Sequence, residues 1–241
     1  MMDLCQVHLD KAKERAEQTG DKDSMIAKLV GRCGRDSDIP LIVGIDSMSA
    51  GIDTTGSSAC FLLYHLATNL DKQEILHNEI MDVVGDQGNL SESALGKMKY
   101  MKAVQLESQR MMPAVFGTMR MFEKDLVIGG YRIPRDTVII KVGSFTSLDS
   151  RNFVEPDKFL PERWLRGHKA RHSADSFANI PFGHGARSCV GQRFAKLELF
   201  TLMTKLVQHY KLEYAGDGDV GIKTQLVSVP NKQIKIKFIK R

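Results

Sequence analysis

The run Phe182-Gly183-His184-Gly185-Ala186-Arg187-Ser188-Cys189-Val190-Gly191 sets three glycines, one arginine and one cysteine directly ahead of an amphipathic segment. A thiolate that is to serve a metal must be presented outward, unshielded by its neighbours. Gly183, Gly185 and Gly191 permit positive φ and let the backbone approach a flat ligand where a Cβ would stand in the way. Beyond the cysteine, Phe194, Leu197, Leu199, Leu202, Leu206 and Val207 recur at helical spacing as far as Tyr210. Cys189 is therefore expected at or just before a helix N-terminus, where the dipole and free N–H groups favour a charged sulfur. A cysteine alone is more often a small buried hydrophobe, and it is the spacing around this one that points to a ligand.

A second group with chemistry to offer, Ala50-Gly51-Ile52-Asp53-Thr54-Thr55, falls inside a long apolar segment. Glycine costs roughly 1 kcal/mol against alanine in a helix interior, and Asp and Thr there compete for the helix's own hydrogen bonds. Either Gly51 marks a helix crossing with Thr54 bonded back to a carbonyl, or something polar meets the group. Glu107 and Arg110, three residues apart, read by themselves as a surface pair worth a few tenths of a kcal/mol.

The elements that must position these groups follow from periodicity. Helices are expected over Asp3–Thr19, Ser24–Arg32, about Ile39–Asn69, Asp71–Gly85, Ser91–Gly96 and Lys99–Met111, with polar turns at 20–23 and 85–89. The helix from Ile39 reads as long and largely buried. After Pro113 the pattern changes to short strands at Thr118–Phe122, Asp125–Ile128, Tyr131–Ile133 and Thr137–Val142, separated by Gly129-Gly130 and Pro134-Arg135-Asp136. A loop-rich stretch, 149–181, leads to the cysteine helix, and the tail reads as a hairpin around Pro230-Asn231. With neither repeats nor low-complexity linkers, the simplest reading is one mainly α unit with small peripheral β-sheets, an α+β architecture.

Composition narrows the function classes. The 241 residues carry a net charge of +5 and a pI near 9.0, but acids are interspersed with the bases, so nucleic-acid binding is not implied. A basic face suited to an acidic protein or an anionic lipid surface is the expected consequence. Cys5, Cys33, Cys60 and Cys189 lie far apart with no metal-finger spacing and no disulfide framework. No import signal and no membrane-spanning run is read in this polypeptide.

The spacing Phe182, Gly185, Arg187, Cys189, Gly191 resembles the haem-binding loop of the cytochrome P-450 superfamily, and Ala50-Gly51-x-Asp53-Thr54-Thr55 resembles its oxygen-activation motif. Glu107-x-x-Arg110 and Pro161-Glu162-Arg163 resemble its Glu-x-x-Arg and Pro-Glu-Arg segments, and the four occur in the family's order. The resemblance implies the P-450 fold from before the long oxygen-binding helix to the end, residues 1–241 forming a single partial domain whose N-terminal half is absent. It implies haem b with Cys189 as the axial thiolate on iron, Arg187 and Arg120 on the propionates, and Phe182 packed near the sulfur. Gly185 and Gly191 would shape the loop, Ala50 and Gly51 would leave room for O2, and Asp53 with Thr54 would relay protons. Glu107, Arg110 and Arg163 would form a buried structural triad.

The implied activity is haem-dependent monooxygenation of a lipophilic substrate: steroid, sterol-like or xenobiotic. Phrases such as Pro181-Phe-Gly-His-Gly and Tyr64-His-Leu-Ala-Thr-Asn resemble the animal mitochondrial branch, which implies peripheral attachment to the inner membrane and an acidic ferredoxin donor meeting Lys102 and Arg193. Leu106 and Gln192 depart from that branch, and Gly191-Gln-Arg-Phe-Ala195 is shared with microsomal members, so the endoplasmic reticulum and a flavoprotein reductase stay open. Two other classes are carried forward. One is a haem-thiolate isomerase or dehydratase, against which Asp53-Thr54 argues; the other is a truncated haem-binding or inactive fragment.

Overall fold

The computed structural model, which describes residues 2–20, 23–34, 37–86, 88, 90–168 and 176–241, forms helices wherever apolar spacing is near 3.6 and places its strands after Pro113. The expected turns at 20–23 and 85–89 fall partly outside the described residues, at Asp21, Lys22, Gln87 and Asn89. Two units divide the chain between Asp53 and Thr54. The first contains helices α1 (Met2–Thr19), α2 (Met25–Cys33) and the start of α3 (Ile39–Thr68). Ser24 caps α2 by accepting the Ala27 amide at 3.2 Å. On α1, Cys5 and Leu9, one turn apart, are buried, and the Cys5 thiol donates to the Met48 sulfur at 3.4 Å.

The second unit contains the rest of α3 with α4 (Leu70–Val83), α5 (Glu92–Lys97), α6 (Lys99–Met111), α7 (Gly143–Ser147) and α8 (Gln192–His209). Its core joins Leu62, Leu66 and Ala67 of α3, Leu76 and Ile80 of α4, Met101 and Val104 of α6, and Phe200, Met203 and Val207 of α8. Helix α6 begins without a side-chain cap of its own. The Glu79 carboxylate of α4 takes that place, accepting the Tyr100 and Met101 amides at 2.6 and 2.8 Å. The helix ends ahead of Pro113, which cannot continue the hydrogen-bond ladder.

The expectation of a largely buried α3 holds only for its C-terminal half. From Phe61 to Ala67 most side chains are buried, whereas Ile42, Met48 and Ile52 are exposed. The reason is the extent of the core, whose α3 members begin at Leu62.

Among the described residues eight short strands form four antiparallel pairs: β1 (Gly117–Arg120), β2 (Leu126–Ile128), β3 (Tyr131–Ile133), β4 (Ile139–Val142), β5 (Tyr210–Tyr214), β6 (Ile222–Thr224), β7 (Ser228–Pro230) and β8 (Ile236–Lys240). Strands β2 and β3 turn through Gly129 and Gly130, at φ +58° and +84°, which non-glycine residues rarely adopt. The tail departs from the expected hairpin at Pro230-Asn231. Strand β7 pairs back with β6, Pro230 opposite Ile222, and β8 pairs with β5. Strand β5 also replaces the last step of the expected helix, since the backbone is already extended at Tyr210.

The cause lies far off in sequence. Fully buried Gln73 of α4 accepts the Leu212 amide and donates to the Leu212 and Leu66 carbonyls, each at 2.9 Å. It thereby serves Leu212 as a neighbouring strand would, satisfying backbone groups that burial would otherwise orphan. Local alternation carries no trace of such a partner.

Candidate functional site

The cysteine loop is a chain of tight turns. The Gly183 amide donates to Ile180 O at 2.9 Å, Ser188 to Gly185 O at 3.0 Å, and the Cys189 amide to Phe182 O at 2.8 Å. Gly183 and Gly185 stand at φ +73° and +75°, so both need glycine for the conformation. Gly191 does not: its φ is −82°, and an added Cβ would find only the Cys189 sulfur, at 3.9 Å. The result is an exposed thiol three residues before α8, beside Val190, which is 98% exposed, and Phe194, which is 62% exposed. The exposed Arg187 forms no ion pair among the described residues. Phe182 is half-buried.

The remaining candidates are placed more loosely. Ala50, Gly51, Asp53 and Thr54 lie on α3, with Asp53 exposed and Thr54 half-buried. Apart from the helix's own backbone and the chain neighbours, no atom of the described residues lies within 4 Å of a Cβ built on Gly51. Arg120, on β1, is exposed and donates to the neighbouring Met119 carbonyl at 2.7 Å. Lys102 of α6 and Arg193 of α8 are exposed. The residues from Phe182 to Gly191 thus share one loop, whereas Thr54 on α3 and Arg120 on β1 stand on other elements.

Glu107, Arg110 and Arg163, each at most 1% exposed, form the most buried charged cluster of the described residues. Glu107 accepts Arg110 Nε and Nη2 at 3.0 and 2.9 Å, and Arg163 Nε at 2.9 Å. It also accepts Trp164 Nε1 and the Leu160 amide, at 2.9 and 3.0 Å. The guanidinium groups spend their other donors on the carbonyls of Ser147, Lys158, Val154 and Glu155, and the Phe153 ring lies 5.1 and 5.9 Å from their carbons. Such geometry is what a buried ion network needs to repay desolvation.

Sequence reasoning missed two members of this region, Trp164 and His65. His65 stacks on Phe159 with centroids 4.8 Å apart and shares a 3.0 Å hydrogen bond with Ser108. Burial, and then the Arg110 charge, push its pKa down to about 3.

The family model described as Cytochrome P450 matches residues 40–238. The chain belongs to the cytochrome P450 family. It is 34% identical over 257 residues to Cytochrome P450 CYP12A2 of Musca domestica, covering 98% of this chain and 47% of that protein. It is 31% identical to Probable cytochrome P450 12d1 distal, mitochondrial, of Drosophila melanogaster, covering 94% and 44%. It is also 34% identical to Sterol 26-hydroxylase, mitochondrial, of Homo sapiens, covering 80% and 37%. The chain spans about half the length, or less, of these curated relatives.

The residues present fit the haem that P450 proteins carry. No group of three or more His, Cys, Asp or Glu gathers among the described residues, so a bare ion would find too few ligands. Iron already held by a macrocycle needs only one more from below. A flat apolar ring also accounts for the exposed Val190 and Phe194 and for a glycine at 191 that the chain itself does not require.

Two outcomes follow for this P450 chain. Glu107→Gln leaves two buried guanidinium charges without a counter-charge and is expected to cost about 3–5 kcal/mol in urea unfolding; a loss below about 1 kcal/mol would contradict the network. For His65, the folded pKa of about 3 lies below the ordinary 6.5, so between those values the unfolded chain binds a proton that the folded chain refuses. The corresponding stability is fully present above pH 6.5 and falls on acidification, by up to about 1.4 kcal/mol per pH unit. His65→Gln is expected to flatten that slope between about pH 6 and 4; a slope equal to that of the unaltered chain would refute the assignment.

Proposed function

We propose that this chain carries the haem-thiolate centre of a monooxygenase that inserts one atom of O2 into a lipophilic substrate. The observation that carries the reading is Cys189: exposed, at the end of a glycine-turned loop, just ahead of α8. Haem b, when bound, supplies the one-electron and dioxygen chemistry. Cys189 would give its sulfur to the haem iron, and the Phe182 ring would pack near that sulfur. Arg187 and Arg120 meet the propionates as charge-assisted donors. Gly185 shapes the loop, and Gly191, Ala50 and Gly51 keep side chains away from the ring and from O2. The Asp53 carboxylate, exposed to solvent, takes protons from water, and the Thr54 hydroxyl holds one where oxygen must be protonated.

The two structural units belong to one domain in this reading, because the family match runs from 40 to 238 across their boundary. Lys102 and Arg193, exposed cations on α6 and α8, receive an acidic ferredoxin, which the mitochondrial names of several relatives favour. The same names favour a mitochondrial location, to which the reading adds peripheral attachment at the inner membrane. Among the described residues no helix is long and apolar enough to cross a membrane.

Reconstitution of the chain with haem tests the reading directly. The reduced chain under carbon monoxide is expected to show the red-shifted thiolate band, and Cys189→Ala is expected to lose it; a band that survives the substitution would remove Cys189 from the iron. In the full-length protein, Thr54→Ala is expected to keep the band and divert electrons from product to peroxide, roughly 10-fold or more if the hydroxyl is the proton carrier. An unaltered coupling ratio would remove Thr54 from proton delivery.

A further inference from the structure

Lys196, in the first turns of α8, is half-buried and forms no ion pair among the described residues. Its ammonium lies 5.3 Å from the centroid of the Phe182 ring, within the range where a cation is attracted to an aromatic face. Phe182 is also the residue whose carbonyl accepts the Cys189 amide at 2.8 Å, so the ring under Lys196 and the backbone of the cysteine share one residue. Burial, and then the charge of Lys102, hold the Lys196 ammonium below the ordinary lysine range. The Lys102 charge on α6 thus acts on Lys196 of α8, neither lysine forms an ion pair among the described residues, and the exposed Arg193 lies three residues before Lys196 on the same helix.

We propose that Lys196 is a positioning residue that couples the docking of an acidic protein to the cysteine loop: its ammonium pins the Phe182 ring, and a partner carboxylate seated between Lys102 and Lys196 draws it off. The proposal rests on the docking face assigned above. A protein carboxylate is the favoured occupant because Lys196 is half-buried against a ring, within reach of a side chain that projects from a shaped surface and less so of a plane of headgroups. Removing the partner lets the ammonium return to the ring, and the Cys189 turn closes again.

Amide hydrogen exchange at Cys189 in the haem-free chain reads this coupling without activity, with the Val207 amide in the core as an internal control for folding. Lys196→Met, similar in length and uncharged, is expected to speed exchange at Cys189 about two- to fivefold, the equivalent of an exposed cation–π contact. Lys196→Arg is expected to restore the original rate. Poly-L-glutamate, used as the acidic polypeptide, is expected to bring the unaltered chain to the rate of Lys196→Met and to leave that variant unchanged. Equal rates in the unaltered chain and Lys196→Met would overturn the proposal, as would an equal response of both to poly-L-glutamate. Acceleration by phosphatidylserine vesicles alone would replace the acidic protein with a membrane. A chain that loses its carbon monoxide band only through Cys189→Ala, yet shows no Lys196 effect, would sink the coupling and leave the haem reading standing.

Discussion

One carboxylate between two guanidinium groups, all three shut away from water, constrains this unit more than any other contact. Glu107 receives five donors, from Arg110, Arg163, Trp164 and the Leu160 amide. They arrive from one helix and from the 3-10 turn at Pro161–Trp164, so the carboxylate sets how the segment after residue 158 lies against α6. The cluster keeps one net positive charge. Four backbone carbonyls and the Phe153 ring face the charge instead of water. The attraction among the three ions repays desolvation only while all of these partners stay in place. Geometry, more than charge count, is what the sequence must conserve energy for here: a shifted loop leaves a cation bare.

That residual charge reaches beyond the triad. Burial keeps His65 uncharged, and the Arg110 guanidinium opposes its protonation further. A neutral ring stacks on Phe159 and keeps its hydrogen bond to Ser108, whereas an imidazolium would add a second uncompensated cation to the same core. The network therefore reinforces what burial already imposes on a residue of another helix, and α3 and α6 are tied together by a histidine that stays uncharged.

Legibility in the sequence followed the range of the interaction. Helix α6 matches the expected Lys99–Met111 because its apolar spacing and Pro113 are local signals. Glu107, Arg110 and Arg163 were recognisable only through the family resemblance, since Glu107-x-x-Arg110 alone reads as a surface pair. His65 and Trp164 join across 43 and 57 residues, and Gln73 reaches Leu212 across 139. No periodicity encodes partners so distant. For the same reason the tail misled: alternation located the strands approximately but not their pairing, because Ile236–Lys240 goes to a strand that Gln73 holds in place. At the site, turn-forming Gly183 and Gly185 were legible as glycines, while the reason for Gly191 emerged only when its φ proved ordinary.

The buried ions and the exposed sulfur divide the labour. The unit hides charge where it must hold shape and shows apolar surface where Cys189 lies, with Val190 and Phe194 open on the loop and the start of α8. Apolar side chains so close together on a surface mark something that covers them. Were they needed for packing within the unit, they would point into the core, as Leu199, Phe200 and Met203 do on the same helix. Helix α8 thus has two apolar faces with different purposes, and only one is satisfied by the chain itself. A ligand covering the other face at about 100 times its Kd would add about 2.7 kcal/mol of stability. The two regions make opposite demands: the triad holds only with every partner in place, and the loop leaves its sulfur and the neighbouring apolar side chains uncovered.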